Sequence, residues 1–269
     1  TKAGTNGNHM ERVMVIGEAG SCHGGDLDQA HALIGVATRC GADAVKFQTF
    51  KAETLAMRRR AAESLPMYAK YEMPLWWLES LKTEADRCGI EFMTTVYHED
   101  YLSIVAPFVR RFKIGSFEAQ DEAFLLAHKP FGKPVIVSAG LCDEAAIRRL
   151  RRHRLTWPTP LALLYCVSAY PTPLEALRLC QMRLQELDGF SDHTESVLTG
   201  ALAVAAGATI IEKHLRLDDT DPANPDYGHS LSPNQFALYV QNIRLAEAAM
   251  GDGVRSKAEQ PWSRFVVRP

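Results

Sequence analysis

The chain repeats one pattern eight times: a short apolar run, then a longer amphipathic stretch before the next run. The apolar runs cover 13–18, 44–48, 91–95, 111–114, 134–138, 161–166, 189–191 and 209–214. Residues at helical spacing fill 28–40, 75–88, 99–106, 122–128, 143–153, 174–187, 197–206 and 233–250. Strands that alternate with helices assemble into a parallel α/β sheet, and eight of each favour a closed (β/α)8 TIM barrel over an open sheet. The glycines in "CGAD" (40–43), "CGIE" (88–91) and "AGAT" (206–209) stand where a helix must stop before the next strand.

A length of 269 residues suits one such domain, since barrels of this kind run to about 250 residues. Residues 1–9 are polar and rich in Gly and Asn, and read as an expression leader, which leaves a single barrel domain over 10–269. The formal net charge is −2 with no basic block, which argues against nucleic acid or an anionic membrane as partner. A local cluster of Lys and His can still hold a small anion. The six cysteines are scattered without a CxxC pair, as in reduced thiols of a cytoplasmic protein. No apolar run approaches the roughly 18 residues of a membrane-spanning helix. Two insertions, 51–74 and 218–232, follow strands, so both belong on the C-terminal face, where barrel loops form active sites.

Polar residues close nearly every apolar run. Glu18 ends the first, Lys46 and Gln48 the second, Thr94 and Thr95 the third; Lys113 and Ser116 follow the fourth. Ser138 ends the fifth, Ser168 and Tyr170 follow the sixth, and Ser191, Asp192 and His193 close the seventh. Glu212, Lys213 and His214 close the eighth. In a barrel these groups converge on one mouth. Lys46 and Lys113, with the hydroxyls of Ser116, Ser138 and Ser191, make an anion pocket: lysine supplies charge and the hydroxyls supply directed donors. His193 and His214 end adjacent strands, and neutral imidazole is a good ligand for Mn, Fe, Co or Zn. As a bare pair they fit a structural role equally well. His23 is either a third ligand or a brace for its loop. The "RRR" at 58–60 and the Arg/His run at 148–154 read as solvated faces, and Trp76 and Trp77 as packing residues.

The blocks "GEAGSCHGGD" (17–26), "GADAVKFQTF" (41–50), "FKIGSFE" (112–118) and "GKPVIVSAG" (132–140) are joined by "LLYCVSAYPTP" (163–173), "FSDHT" (190–194), "GATIIEKHL" (207–215) and "PDYGHSLSP" (225–233). In this order they resemble the N-acetylneuraminate (sialic acid) synthase family, from about residue 13 to residue 251. The resemblance implies a homodimeric transferase that condenses phosphoenolpyruvate with an aldose, giving a 2-keto-3-deoxy sugar acid and phosphate. It implies a divalent metal on His193 and His214, Mn2+ foremost, with Mg2+ or Co2+ as alternatives. Lys46, Thr95, Lys113, Ser116, Ser138, Ser168 and Ser191 match positions that hold phosphoenolpyruvate. Glu18, Gln48, Tyr170 and Asp226 match positions around the acceptor sugar and a metal-bound water, with Glu18 orienting or deprotonating that water.

Departures from the family pattern accompany the match. The usual "INHNGD" is "SCHGGD", the usual "STPFD" is "TTVYHED", and Tyr-Gly-His follows Asp226, which reshapes the acceptor pocket. The resemblance covers the barrel without the family's C-terminal antifreeze-like domain, whose opening "RFVVRP" (264–269) resembles. Two rival readings are a metal-dependent pyruvate aldolase or lyase, which needs no phosphate-holding lysine pair, and a non-catalytic barrel subunit, which need not keep the lysines and histidines together.

Overall fold

Successive side chains of a strand point to opposite faces, so residue parity sorts each barrel strand into a lumen set and a helix-facing set. The computed structural model describes residues 12–251 and 258. Eight parallel strands close in sequence order, with β8 paired to β1: β1 (Met14–Glu18), β2 (Ala44–Thr49), β3 (Glu91–Val96), β4 (Phe112–Ile114), β5 (Val135–Ser138), β6 (Leu161–Cys166), β7 (Gly189–Asp192) and β8 (Ile210–His214). This is the expected (β/α)8 barrel. The proposed leader at 1–9 and the "RFVVRP" segment lie outside the described residues.

The lumen is plugged from below by Ile16, Ala44, Met93, Ile136 and Leu164, one apolar cluster drawn from five strands. The opposite parity, Phe47, Phe92, Phe112, Phe190 and Ile211, packs outward into the main core with Leu33, Leu81 and Phe236 of the helical layer. Each such side chain contributes about 1.5–3 kcal/mol when fully buried. Gly189 is required by close approach, because a Cβ there would lie 2.1 Å from the Ile210 carbonyl oxygen of β8.

The helical layer comprises α1 (Leu27–Arg39), α2 (Ala52–Arg59), α3 (Leu65–Tyr71), α4 (Trp77–Cys88), α5 (Leu102–Val105), α6 (Glu122–Ala127), α7 (Glu144–Thr156), α8 (Cys180–Leu184), α9 (Thr199–Ala205) and α10 (Pro233–Met250). Asp26, Asp121 and Asp143 cap α1, α6 and α7, and Ser232 with Gln235 forms a capping box on α10.

Two expected helices are shorter than their periodicity predicts. The stretch 99–106 is a single α-turn between two 3-10 turns, the second containing Pro107, which has no N–H to extend an α ladder. The stretch 174–187 keeps only α8, because Arg178 and Glu186 sit in the left-handed region at φ 43° and 53°. Conversely, the 51–74 insertion is itself helical, carrying α2 and α3. Trp77 is buried as expected, whereas Trp76 is 69% exposed and packs only edge-on against Trp77.

Candidate active site

Two residues further along each strand than the apolar plug, the same lumen parity changes character. Glu18, Lys46, Thr95, Ser138, Ser191 and Glu212 form the next layer, joined by Lys113 of β4, and all are buried. They floor a cavity of about 320 Å³ at the C-terminal mouth. Of the residues expected from sequence, Gln48, Ser116, Tyr170, His193, His214 and Asp226 also line it. Ser168 is not among the lining residues; its hydroxyl lies 3.9 Å from the Cys166 sulfur.

The floor is a four-charge network. Lys46 Nζ lies 2.7 Å from Glu18 Oε2 and 3.6 Å from Glu212 Oε2, and donates to Thr95 Oγ1 at 3.0 Å. Lys113 Nζ donates to Ser138 Oγ at 2.8 Å and lies 3.5 Å from Glu212 Oε1, which also accepts from Ser191 Oγ at 3.0 Å. Gln48 Nε2 donates to Glu18 Oε1 at 2.8 Å. Burial pushes the Glu18 carboxyl up to about 7 against the opposing field of Lys46, with Glu212 adding to the rise. Glu212 goes the other way: burial opposes it, but Lys113 and Lys46 together hold its carboxyl below the usual range. Burial lowers Lys113. Two carboxyls in one site are thereby split into an ionised one and one that titrates near neutrality, an arrangement suited to acid–base work.

One side of the mouth gathers imidazoles. The rings of His193 and His214 lie 5.4 Å apart, and a third ring, His229, lies 4.5 Å from His214 and 5.9 Å from His193. His193 Nδ1 donates to the Val167 carbonyl at 3.0 Å, which leaves Nε2 with its lone pair. Burial lowers His193 to about 4 and His214 well below its ordinary value, so both rings are neutral at physiological pH. Asp226 lies 3.9 Å from His214 Nδ1 and 3.5 Å from His229 Nε2. Burial alone would raise its carboxyl; the close polar contact of His229, together with the Ser21 backbone N–H, helps hold it lowered instead. Ser21 donates to Asp226 Oδ2 through its backbone N–H at 2.7 Å and its hydroxyl at 2.9 Å. The donor set fits a divalent ion: neutral imidazoles beside one carboxylate, with His214 Nδ1 buried and free of any hydrogen-bond partner.

Several expectations are corrected by parity and packing. Lys213, Asp192 and Thr94 end their strands but face the helices: Lys213 donates to the Thr194 carbonyl, Asp192 accepts from Tyr239 at 2.8 Å, and Thr94 pairs with Thr49 at 2.9 Å. His23 makes the contacts of a loop brace, Gly25 N–H donating to its Nδ1 at 3.1 Å and its ring packing edge-on to Trp77, and it does not line the cavity that holds His193 and His214. Arg59 is not a solvated residue. It lines the cavity with its guanidinium 5.2 Å from the Tyr97 ring, 4.4 Å from the Phe117 ring and 3.3 Å from Glu118. Glu212 was expected at the mouth but without a role, and His229 was not expected there. The parity of β8 places Glu212 beside His214 in the lumen, whereas nothing local in the sequence brings His229 back to the mouth.

A closed (β/α)8 barrel with paired lysines, paired glutamates and converging histidines at its C-terminal mouth defines a barrel enzyme. The NeuB family model matches residues 33–255, and the chain belongs to that family. It is 35% identical to N,N'-diacetyllegionaminic acid synthase of Legionella pneumophila, over 94% of this chain and 78% of that protein. It is 33% identical to N,N'-diacetyllegionaminic acid synthase of Campylobacter jejuni, over 93% and 82%. Among solved structures, N-acetylneuraminic acid (sialic acid) synthetase of Leptospira borgpetersenii, in complex with citrate, superposes with a TM-score of 0.87 at 29% identity, covering 94% of this chain and 91% of that one. The chain is a sialic acid synthase-like enzyme. Among the described residues, no helix is long and apolar enough to cross a membrane.

Proposed function

We propose that the chain condenses phosphoenolpyruvate with an aldose acceptor to give a 2-keto-3-deoxy sugar acid and inorganic phosphate. The observation that carries this reading is the buried floor: Lys46 and Lys113 standing among the hydroxyls of Thr95, Ser138 and Ser191, with Ser116 beside them. Such a floor meets the two anionic groups of the enol phosphate with charge and directed donors. C3 of the enol phosphate forms the new C–C bond to the aldehyde carbon, whose oxygen takes a proton. Water then adds at C2, and the bond from C2 to the phosphate oxygen breaks as phosphate departs. Glu18, titrating near neutrality, takes the proton from that water, and Gln48 fixes its carboxyl. A divalent ion, Mn2+ being the first choice, would be held by His193 and His214 and would supply Lewis-acid polarisation of the aldehyde. Names of relatives support a nonulosonate-type product, with N-acetylmannosamine-like sugars as the first acceptors to test.

The test is phosphate release from phosphoenolpyruvate with a panel of aldoses and Mn2+. Release that requires both substrates and is lost in His214→Ala supports the reading. Turnover with pyruvate replacing phosphoenolpyruvate would instead identify an aldolase.

A further inference from the structure

We propose that His229 is a third imidazole ligand, so that His193, His214, His229 and Asp226 form a centre that selects a first-row transition ion over Mg2+. The inference rests on the reading that the cavity holds a divalent ion, and assigns a role to a residue that reading does not use. His229 is 2% exposed, and its Nε2 is buried without a hydrogen bond, Asp226 Oδ1 standing 3.5 Å off; His214 Nδ1 is likewise buried without one, 3.9 Å from Asp226 Oδ2. A buried ring nitrogen left unpaired is costly and calls for a partner. One nitrogen or oxygen from each of His214, Asp226 and His229 lies within 4.8 Å of the others, a spacing that one ion can bridge.

The placement of His229 is held from outside the barrel strands. It closes the 3-10 turn Tyr227–His229, and that turn is strapped down at both ends. Asp226 is held by Ser21, Asn224 Nδ2 donates to the Ser21 carbonyl at 2.8 Å, and Ser230 Oγ donates to the Asp226 carbonyl at 2.6 Å. Gly20 makes the approach possible: a Cβ there would stand 2.2 Å from Asp226 Oδ2 and 3.3 Å from His214 Nδ1. Mg2+ favours all-oxygen octahedra and keeps its water, whereas a third imidazole strengthens binding of Mn2+, Fe2+, Co2+ or Zn2+.

The experiment is calorimetric titration of the chelator-stripped full chain with Co2+, Mn2+ and Mg2+, together with the visible absorption of the Co2+ form. The parent binds one Co2+ per chain far more tightly than Mg2+. His229→Gln weakens Co2+ binding about a hundredfold or more and alters the Co2+ spectrum, while Mg2+ binding changes by less than about tenfold. His229→Asn, with circular dichroism on both variants, guards against a fold defect. Unchanged Co2+ affinity and spectrum in a folded variant overturn the proposal and leave the synthase reading intact. Absence of any divalent binding by the parent overturns it together with the metal part of that reading.

Discussion

Glu212 balances the two lysines that make the floor useful. It lies 3.6 Å from Lys46 and 3.5 Å from Lys113, and its own side chain is 5% exposed. Removing one member of a buried charge network leaves the others uncompensated, which costs more than the network gains by existing. Glu212→Gln is therefore expected to lose about 3 kcal/mol of stability by urea denaturation. Inorganic phosphate should restore more of that loss than it adds to the parent, because the lysines then lack their resident anion. A variant as stable as the parent, with no phosphate effect, would show the floor to be less tightly coupled than its distances imply. Gly20 is the other residue whose chemistry is decided by a single atom. Its φ of 51° and the 2.2 Å approach to Asp226 Oδ2 leave no room for a methyl group. Gly20→Ala should cut synthase turnover by about a hundredfold through displacement of Asp226, while far-UV circular dichroism stays native.

At the scale of elements, the strands were legible because apolar runs are local properties. Glu18, Lys46, Thr95, Ser138, Ser191 and His214 could be named from sequence for that reason: each ends a strand at a lumen position. Lys213 and Asp192 show the limit of that signal. Being near the end of a strand places a residue at the mouth, but only the side of the pleat decides whether it enters. The insertion carrying α2 and α3 was visible as an interruption, and its location on the active face was correct. What could not be read was that Arg59 closes α2 and then turns inward. That depends on the left-handed Arg60 (φ 52°), which ends the helix, and on Tyr97 and Phe117 from two other loops. Arg59 lines the cavity through contacts with Tyr97, Phe117 and Glu118, none of which belongs to the lysine floor. Arg59→Ala is accordingly expected to raise KM for the acceptor aldose about tenfold and to leave KM for phosphoenolpyruvate unchanged. Equal rises in both would place Arg59 on the phosphate side instead. The two shortened helices have the same kind of cause: periodicity reports a face, but Pro107 and two left-handed residues decide how long the helix runs.

The whole molecule carries a pH dependence of stability that owes nothing to the active site. His128, at the end of α6, is fully buried between Phe112 and Phe124, whose rings stand 5.1 and 4.9 Å away, and its Nδ1 donates to the Phe124 carbonyl at 2.8 Å. Burial lowers this imidazole from 6.5 to about 4 in the folded chain. Above pH 6.5 neither state binds the proton, and His128 adds no pH dependence. As pH falls through 6.5 the unfolded chain takes up the proton first, so stability falls with decreasing pH until the folded ring also titrates near 4. At 1.36 kcal/mol per unit, this one ring removes about 3 kcal/mol across that window. His128→Gln takes the proton away from both states. Its stability at pH 7.5 should be lower than the parent's, because the Gln amide replaces a ring packed between two phenylalanines. Its further loss between pH 7.5 and pH 4.5 should be smaller than the parent's by about 2–3 kcal/mol in urea denaturation. His23, which burial also lowers to about 4, remains in the variant and accounts for part of the residual slope. Parallel acid profiles for parent and variant would mean that His128 titrates normally in the fold, and that the outer layer behind β4 admits water.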